Sequence, residues 1–156
     1  MTDPSTSSGR FSELLAALSK RTATPLEARD GLLVLIDAGE AVQLVAEMSE
    51  AGDSVVLVAR VMAIPQEDTG GALALRLLRF NADRAALDGA VIAADGLRRQ
   101  FVLIREYPLD DDAEGLADRI EALMDLAAIV RSDAAGDRSF GAGTAALLLR
   151  ASRGAR

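Results

Sequence analysis

Few residues in this chain are equipped for chemistry. Asp110, Asp111 and Asp112 form a run of carboxylates that suggests a hard-cation site or acid–base work. Tyr107, the single tyrosine, stands just ahead of them. Three consecutive residues at a helix start do not converge on one ion, however, and a helical stripe begins directly after the run. There Asp111, followed three residues later by Glu114, fits a capping box, and acidic groups favour the positive end of a helix. Gly70-Gly71 ahead of another helical pattern resembles a phosphate loop, but no Lys-Ser or Lys-Thr follows and the wider glycine spacing is missing. It is predicted to be a linker. The chain has no His and no Cys. That removes Ser-His-Asp chemistry, thiolate nucleophiles, disulfides and His or Cys zinc sites, and leaves only carboxylate, Lys or Tyr chemistry open. No catalytic residue, no metal and no cofactor are expected.

The cationic side chains are equally spare. Arg98 and Arg99 flank a turn and Arg105 lies on a strand, where solvated charge serves to discourage edge pairing. Arg150, Arg153 and Arg156 are scattered near the end of the sequence, too few for an anion surface. Lys and Arg number 17 against 24 Asp and Glu, a net charge of −7, so the field as a whole repels phosphate backbones and anionic lipid. Neither nucleic acid nor membrane is expected as a partner. The opening MTDPSTSSGR has no apolar core of a signal sequence, and no run of about 18 apolar residues occurs, which predicts a cytoplasmic protein.

Half of the residues are hydrophobic and about a quarter are charged, enough for one packed domain of 156 residues. Residues 1–9, rich in Ser, Thr, Pro and Gly, are expected to be a disordered lead-in. Phe11, Leu14, Leu15 and Leu18 then repeat at helical spacing over 10–22, ahead of Pro25. From 26 to 64 the texture changes to short Val, Leu and Ile runs, predicting strands near 31–37, 41–48 and 54–63 joined around Gly39 and Gly52 as an antiparallel meander. The third run is apolar on both sides except at Arg60, which predicts cover on part of the second sheet face. A helix is predicted over 72–81, with Leu73, Leu77 and Phe80 as one stripe and Leu75 and Leu78 off it, an apolar arc wider than one sheet needs. Asp95-Gly96 marks a hairpin between two further strands, and Pro108 ends it. A third helix of about 20 residues follows, with Leu116, Ile120, Leu123, Ala127 and Val130 on its buried face. The domain is placed at 10–132. Residues 133–156, with glycines at 136, 141 and 143, are expected to be a tail with a short helix around 144–152.

The order helix, three strands, helix, two strands, helix (αβββαββα) specifies an α+β fold, a five-stranded antiparallel sheet packed with three helices. This order, with FSELLAALS near the start, LRLLRFNADRAALDGAVIAADG in the middle and FVLIREYPLDDDAEGLADRIEALMDLA near the end, resembles the class I chaperones of bacterial type III secretion, the Tir-chaperone-like group, over about residues 10–131. The resemblance implies a homodimer in the bacterial cytoplasm that binds the N-terminal region of a secreted effector polypeptide as an extended segment and keeps it soluble and secretion competent. It implies a dimer interface at Leu73, Leu77, Phe80 and Val91, and effector-binding grooves formed by Leu14, Leu15, Leu18, Leu33, Leu35, Val42 and Leu44. The tail after Ser132 extends beyond the usual end of that family.

Two other readings stand beside it. A YbjN-like regulatory adaptor would bind a folded partner in place of an unfolded segment. A small enzyme working through Asp110 to Asp112 or Tyr107 would need a deep polar cavity with perturbed carboxylates.

Overall fold

Along one strand Val55, Leu57, Ala59 and Val61 are all buried while Val56, Val58 and Arg60 between them are half-buried, so the strand turns its odd-numbered residues to a core. That strand is central in a computed structural model that describes residues 4–21, 26–29, 32–36, 42–49, 51, 53–67, 71–108 and 112–135. The elements run α1 (Pro4–Arg21), β1 (Leu26–Arg29), β2 (Leu32–Ile36), β3 (Val42–Met48), β4 (Ser54–Ala63), α2 (Ala72–Arg79) with a 3-10 turn Phe80–Ala82, β5 (Val91–Asp95), β6 (Gln100–Pro108) and α3 (Ala113–Ala134).

All strand pairs are antiparallel, in the order β1-β2-β3-β4-β6-β5. The five predicted strands are present in an α+β fold with three helices, and β1 adds a sixth at the edge. At four residues, with Glu27 and Arg29 alternating with Leu26 and Ala28, β1 is too short and too charged to stand out in a hydrophobicity pattern.

All three helices pack on the same face. Phe11, Leu14 and Leu18 of α1, Leu77 of α2 and Leu116, Ile120, Leu123, Ala127 and Val130 of α3 share one core with the inward residues Leu33, Leu44, Leu57, Ile92 and Leu103 of the sheet. The stripe predicted for α3 is buried in full. Each Leu in this layer contributes roughly 1.5–3 kcal/mol by leaving water.

Four local features differ from expectation. The first helix starts at Pro4, not at 10, since proline at a first helical position has a suitable φ and needs no N–H. The hairpin expected to turn at Asp95-Gly96 has a longer connection. Asp95 ends β5, its Oδ1 accepts the Arg98 N–H at 3.0 Å, and Arg99 takes a left-handed φ of 51° before β6 opens at Gln100. The cap of α3 is Asp112, whose Oδ1 accepts the Gly115 N–H at 2.8 Å. Asp110 and Asp111 lie outside the described residues. The third helix also runs past the expected domain end at 132, to Ala134. The turns at Gly39 and Gly52, residues 1–3 and the tail beyond 135 likewise lie outside the described residues.

Arginines fix the end of α3. Arg131 donates to the carbonyls of Arg60 and Val61 on β4, and Arg76 of α2 donates to the carbonyls of Asp133 and Ala134. Cations on a helix C-terminus satisfy its open carbonyls and oppose its negative pole.

Candidate interaction surfaces

Burial divides the residues singled out by sequence into two groups. Leu14, Leu18, Leu33 and Leu44 are buried beneath the helical layer, the last three completely. Their side chains therefore fill this chain's own core and line no open groove. The side chains of Leu15, Leu35 and Val42 lie outside the described residues. On the second helix Leu77 and Phe80 are core residues and Leu73 packs half-buried against them, whereas Val91 is 47% exposed. The apolar residues of α2 that face outward are the two off the predicted stripe, Leu75 at 64% and Leu78 at 47% exposure.

The wide apolar arc of α2 thus has its explanation. One side, Leu77, reaches the core, and the other, Leu75 with Leu78, meets solvent. Periodicity groups Leu73, Leu77 and Phe80, but the choice of inward side depends on where α3 and β5 stand.

The second face of the sheet was expected to be partly covered, and on it Val34 and Val102 are buried, at 8% and 3% exposure, although no described helix packs there. Registration carries Val34 onto Val45, Val45 onto Val58, Val58 onto Ile104 and Ile104 onto Val91, a row of β-branched residues across β2, β3, β4, β6 and β5. Cross-strand pairs of this kind stabilise the sheet. Val45, Val58 and Ile104 remain half-buried and Val91 exposed, so the row also presents apolar surface. Glu47, Val56 and Glu106 flank it on one side, and Arg60, Val102 and Ala93 on the other. A contiguous apolar surface rimmed by polar groups is the usual mark of an interaction site.

The two sheet edges are unlike. No described strand pairs with the outer side of β1. On β5 the outward backbone groups of Ile92 are occupied: Asn81 Oδ1 accepts the Ile92 N–H at 2.8 Å, and Asn81 Nδ2 donates to the Ile92 carbonyl at 3.0 Å. The neighbouring outward N–H, that of Ala90, bonds to Leu87 O at 2.9 Å.

Among the described residues, the groups that suggested catalysis do not assemble a reaction site. Among the described residues no cluster of three or more carboxylates could hold a metal ion, and Asp112 is engaged as a cap. Ser54, the buried polar residue, is hydrogen bonded to Glu106 and lies 3.3 Å from Asp53. An open groove of about 650 Å³ beside α2 is lined by Pro65, Glu67, Leu73, Leu75, Arg76 and Arg79 among others, an apolar and cationic set with a single carboxylate.

Tyr107 is structural in its surroundings. The guanidinium groups of Arg105 and Arg119 each lie over its ring, 4.6 Å from the centroid, and Arg105 pairs with Asp88. Burial pushes the phenol above its ordinary value of 10.0; the two arginines oppose this and Asp88 adds to it. A group whose folded pKa lies above its unfolded value stabilises the fold fully below the unfolded value and loses that contribution as pH rises through the folded one. The thermal midpoint should therefore fall more steeply above about pH 10 in the wild type than in Tyr107→Phe. Parallel curves from pH 8 to 11.5 would contradict this.

Residues 13–131 match the model of the Tir chaperone protein (CesT) family. The chain belongs to this family. No curated protein matches the chain in sequence. Among solved structures, the fold of this Tir chaperone family member is similar to a chain of the ExsC–ExsE complex, at 18% identity and a TM-score of 0.65, over 80% of this chain and 92% of that one. It is also similar to a chain of the HopA1–SchA chaperone–effector complex, at 18% identity and a TM-score of 0.57, over 85% and 99% of the two chains. A third is the Yersinia pestis type III secretion chaperone SycH in complex with a fragment of YscM2, at 18% identity and a TM-score of 0.54, over 77% and 98%. At these identities the likeness is one of fold. Among the described residues of this family member, no helix is long and apolar enough to cross a membrane.

Proposed function

We propose that this chain is a cytoplasmic type III secretion chaperone that acts as a homodimer, holds the N-terminal segment of a secreted effector in extended form, and has no catalytic activity. Membership of the Tir chaperone family carries this reading. A physical argument supports it. An extended polypeptide can add to a sheet edge through main-chain hydrogen bonds while its alternate side chains settle on apolar surface. This molecule has an edge without a described partner at β1, and next to it an apolar row that begins at Val34, paired to Glu27 of β1.

The site assignment changes with burial. We assign the client to the β1 edge and to Val45, Val58 and Ile104 on the second sheet face, in place of the core residues Leu14, Leu18, Leu33 and Leu44. We assign self-association to Leu75 and Leu78, with Val91 retained from the sequence reading and Leu77 and Phe80 holding the helix in place from within. The overall charge of −7 disfavours chance contact with nucleic acid and leaves apolar contact as the main source of client affinity.

Co-expression with the open reading frames adjacent to its own gene, followed by co-purification and light scattering, tests this function. The expected outcome is a dimer carrying one neighbouring product whose solubility depends on it. A strict monomer at micromolar concentration that stabilises no neighbour would reject the proposal.

A further inference from the structure

We propose that Asn81 is a lock on the outer edge of β5, and that what it keeps out is the β5 strand of a second copy of this chain. Edge strands expose unpaired N–H and C=O groups, and proteins protect them with charge, proline, brevity or a covering group. β1 carries Glu27 and Arg29. β5, VIAAD, has no charge before Asp95, with Val91 and Ala94 exposed. A short, apolar, uncharged strand free of Pro and Gly has the composition that favours pairing with its own kind.

The protection is supplied instead from the 3-10 turn after α2. In an antiparallel pair, alternate residues direct both backbone groups to the same side. Ile92 directs both outward, and the Asn81 carboxamide meets the two of them, at 2.8 and 3.0 Å, as a neighbouring strand would. Asparagine presents one acceptor and one donor side by side, the pattern a backbone residue offers. At the preceding outward position the Ala90 N–H is bonded to Leu87 O at 2.9 Å. Alternation leaves Ala94 as the remaining outward position of the strand, too little for a second copy to pair with.

The full-length protein tests this. Asn81→Ala is expected to speed exchange of the Ile92 amide about 5- to 10-fold, as for loss of one hydrogen bond, with amides of β4 unchanged. It is also expected to give assemblies larger than the wild type in sedimentation velocity. Adding Ala94→Pro should return the size to that of the wild type without restoring Ile92 protection, since the Ala94 N–H faces outward and proline there costs no ladder bond while blocking strand addition. Wild-type size for Asn81→Ala with a freely exchanging Ile92 overturns the lock, as does assembly that Ala94→Pro fails to reverse. If Asn81→Ala does not fold, Asn81→Asp answers in its place. It keeps the acceptor for the Ile92 N–H and loses the donor, so it should remain protected at Ile92 yet assemble beyond the wild type; wild-type size would again overturn the proposal. Client co-purification, read in parallel, reports on the chaperone function separately.

Discussion

Leu75→Asp combined with Leu78→Asp is expected to turn the proposed dimer into a folded monomer, whereas Leu77→Asp on the same helix is expected to unfold the protein. The two outcomes follow from burial. Leu75 and Leu78 are 64% and 47% exposed, so in a free subunit their carboxylates would sit in water at almost no cost. In an apposed pair each would be desolvated without a counter-charge, a penalty of several kcal/mol, enough to raise the dissociation constant by about 1,000-fold or more. Leu77 is wholly buried among α3 and β5 residues, and a carboxylate there has neither room nor partner. Light scattering reads the mass and circular dichroism the fold. A double variant that remains dimeric would place self-association elsewhere, and a stable Leu77→Asp would contradict the buried geometry itself.

The second large effect concerns the client. Val45→Thr with Val58→Thr keeps the branched shape and strand preference of both positions but places hydroxyls in the middle of the apolar row. At roughly 1 kcal/mol per buried hydroxyl without a partner, client affinity should drop by about 30-fold, with the thermal midpoint of the free protein little changed because both side chains are half-buried there. Titration calorimetry against the purified client segment measures this. Unchanged affinity would remove the second sheet face from the client site.

Much of the fold was legible in the sequence, because each element carries its own periodicity. The stripe from Leu116 to Val130 specified the buried face of α3, and the Val, Leu and Ile runs located β2, β3, β4 and the final hairpin. What escaped was set by tertiary neighbours. β1 exists because β2 offers it an edge, not because LEAR insists on being a strand. The interaction surfaces were less legible still, for the same reason. Alternation places Val45 and Leu44 on opposite faces without saying which face the helices take, and helical spacing sets Leu75 and Leu78 apart from Leu77 without saying which side is wet. The residues that the family resemblance implied on the second helix, Leu77 and Phe80, are buried, while its exposed leucines are Leu75 and Leu78. Asn81 carried no sequence signal at all, since its role depends on where the strand ten residues later comes to lie.

The order of strands has a consequence for how this chain acquires its shape. β1, β2 and β3 each pair with the strand next in sequence, so these three ladders close short loops. The β4 and β6 ladder instead joins Ser54 to Pro108 and must wait until α2, its turn and β5 have been made. Loop-closure entropy makes such a pairing late and slow relative to hairpins. During synthesis the first four strands can therefore form before β6 exists, and in that interval β4 is itself a bare edge. The chain that is proposed to guard another unfolded polypeptide passes through a stage in which its own central strand is exposed, and the hairpin that closes the sheet ends that exposure.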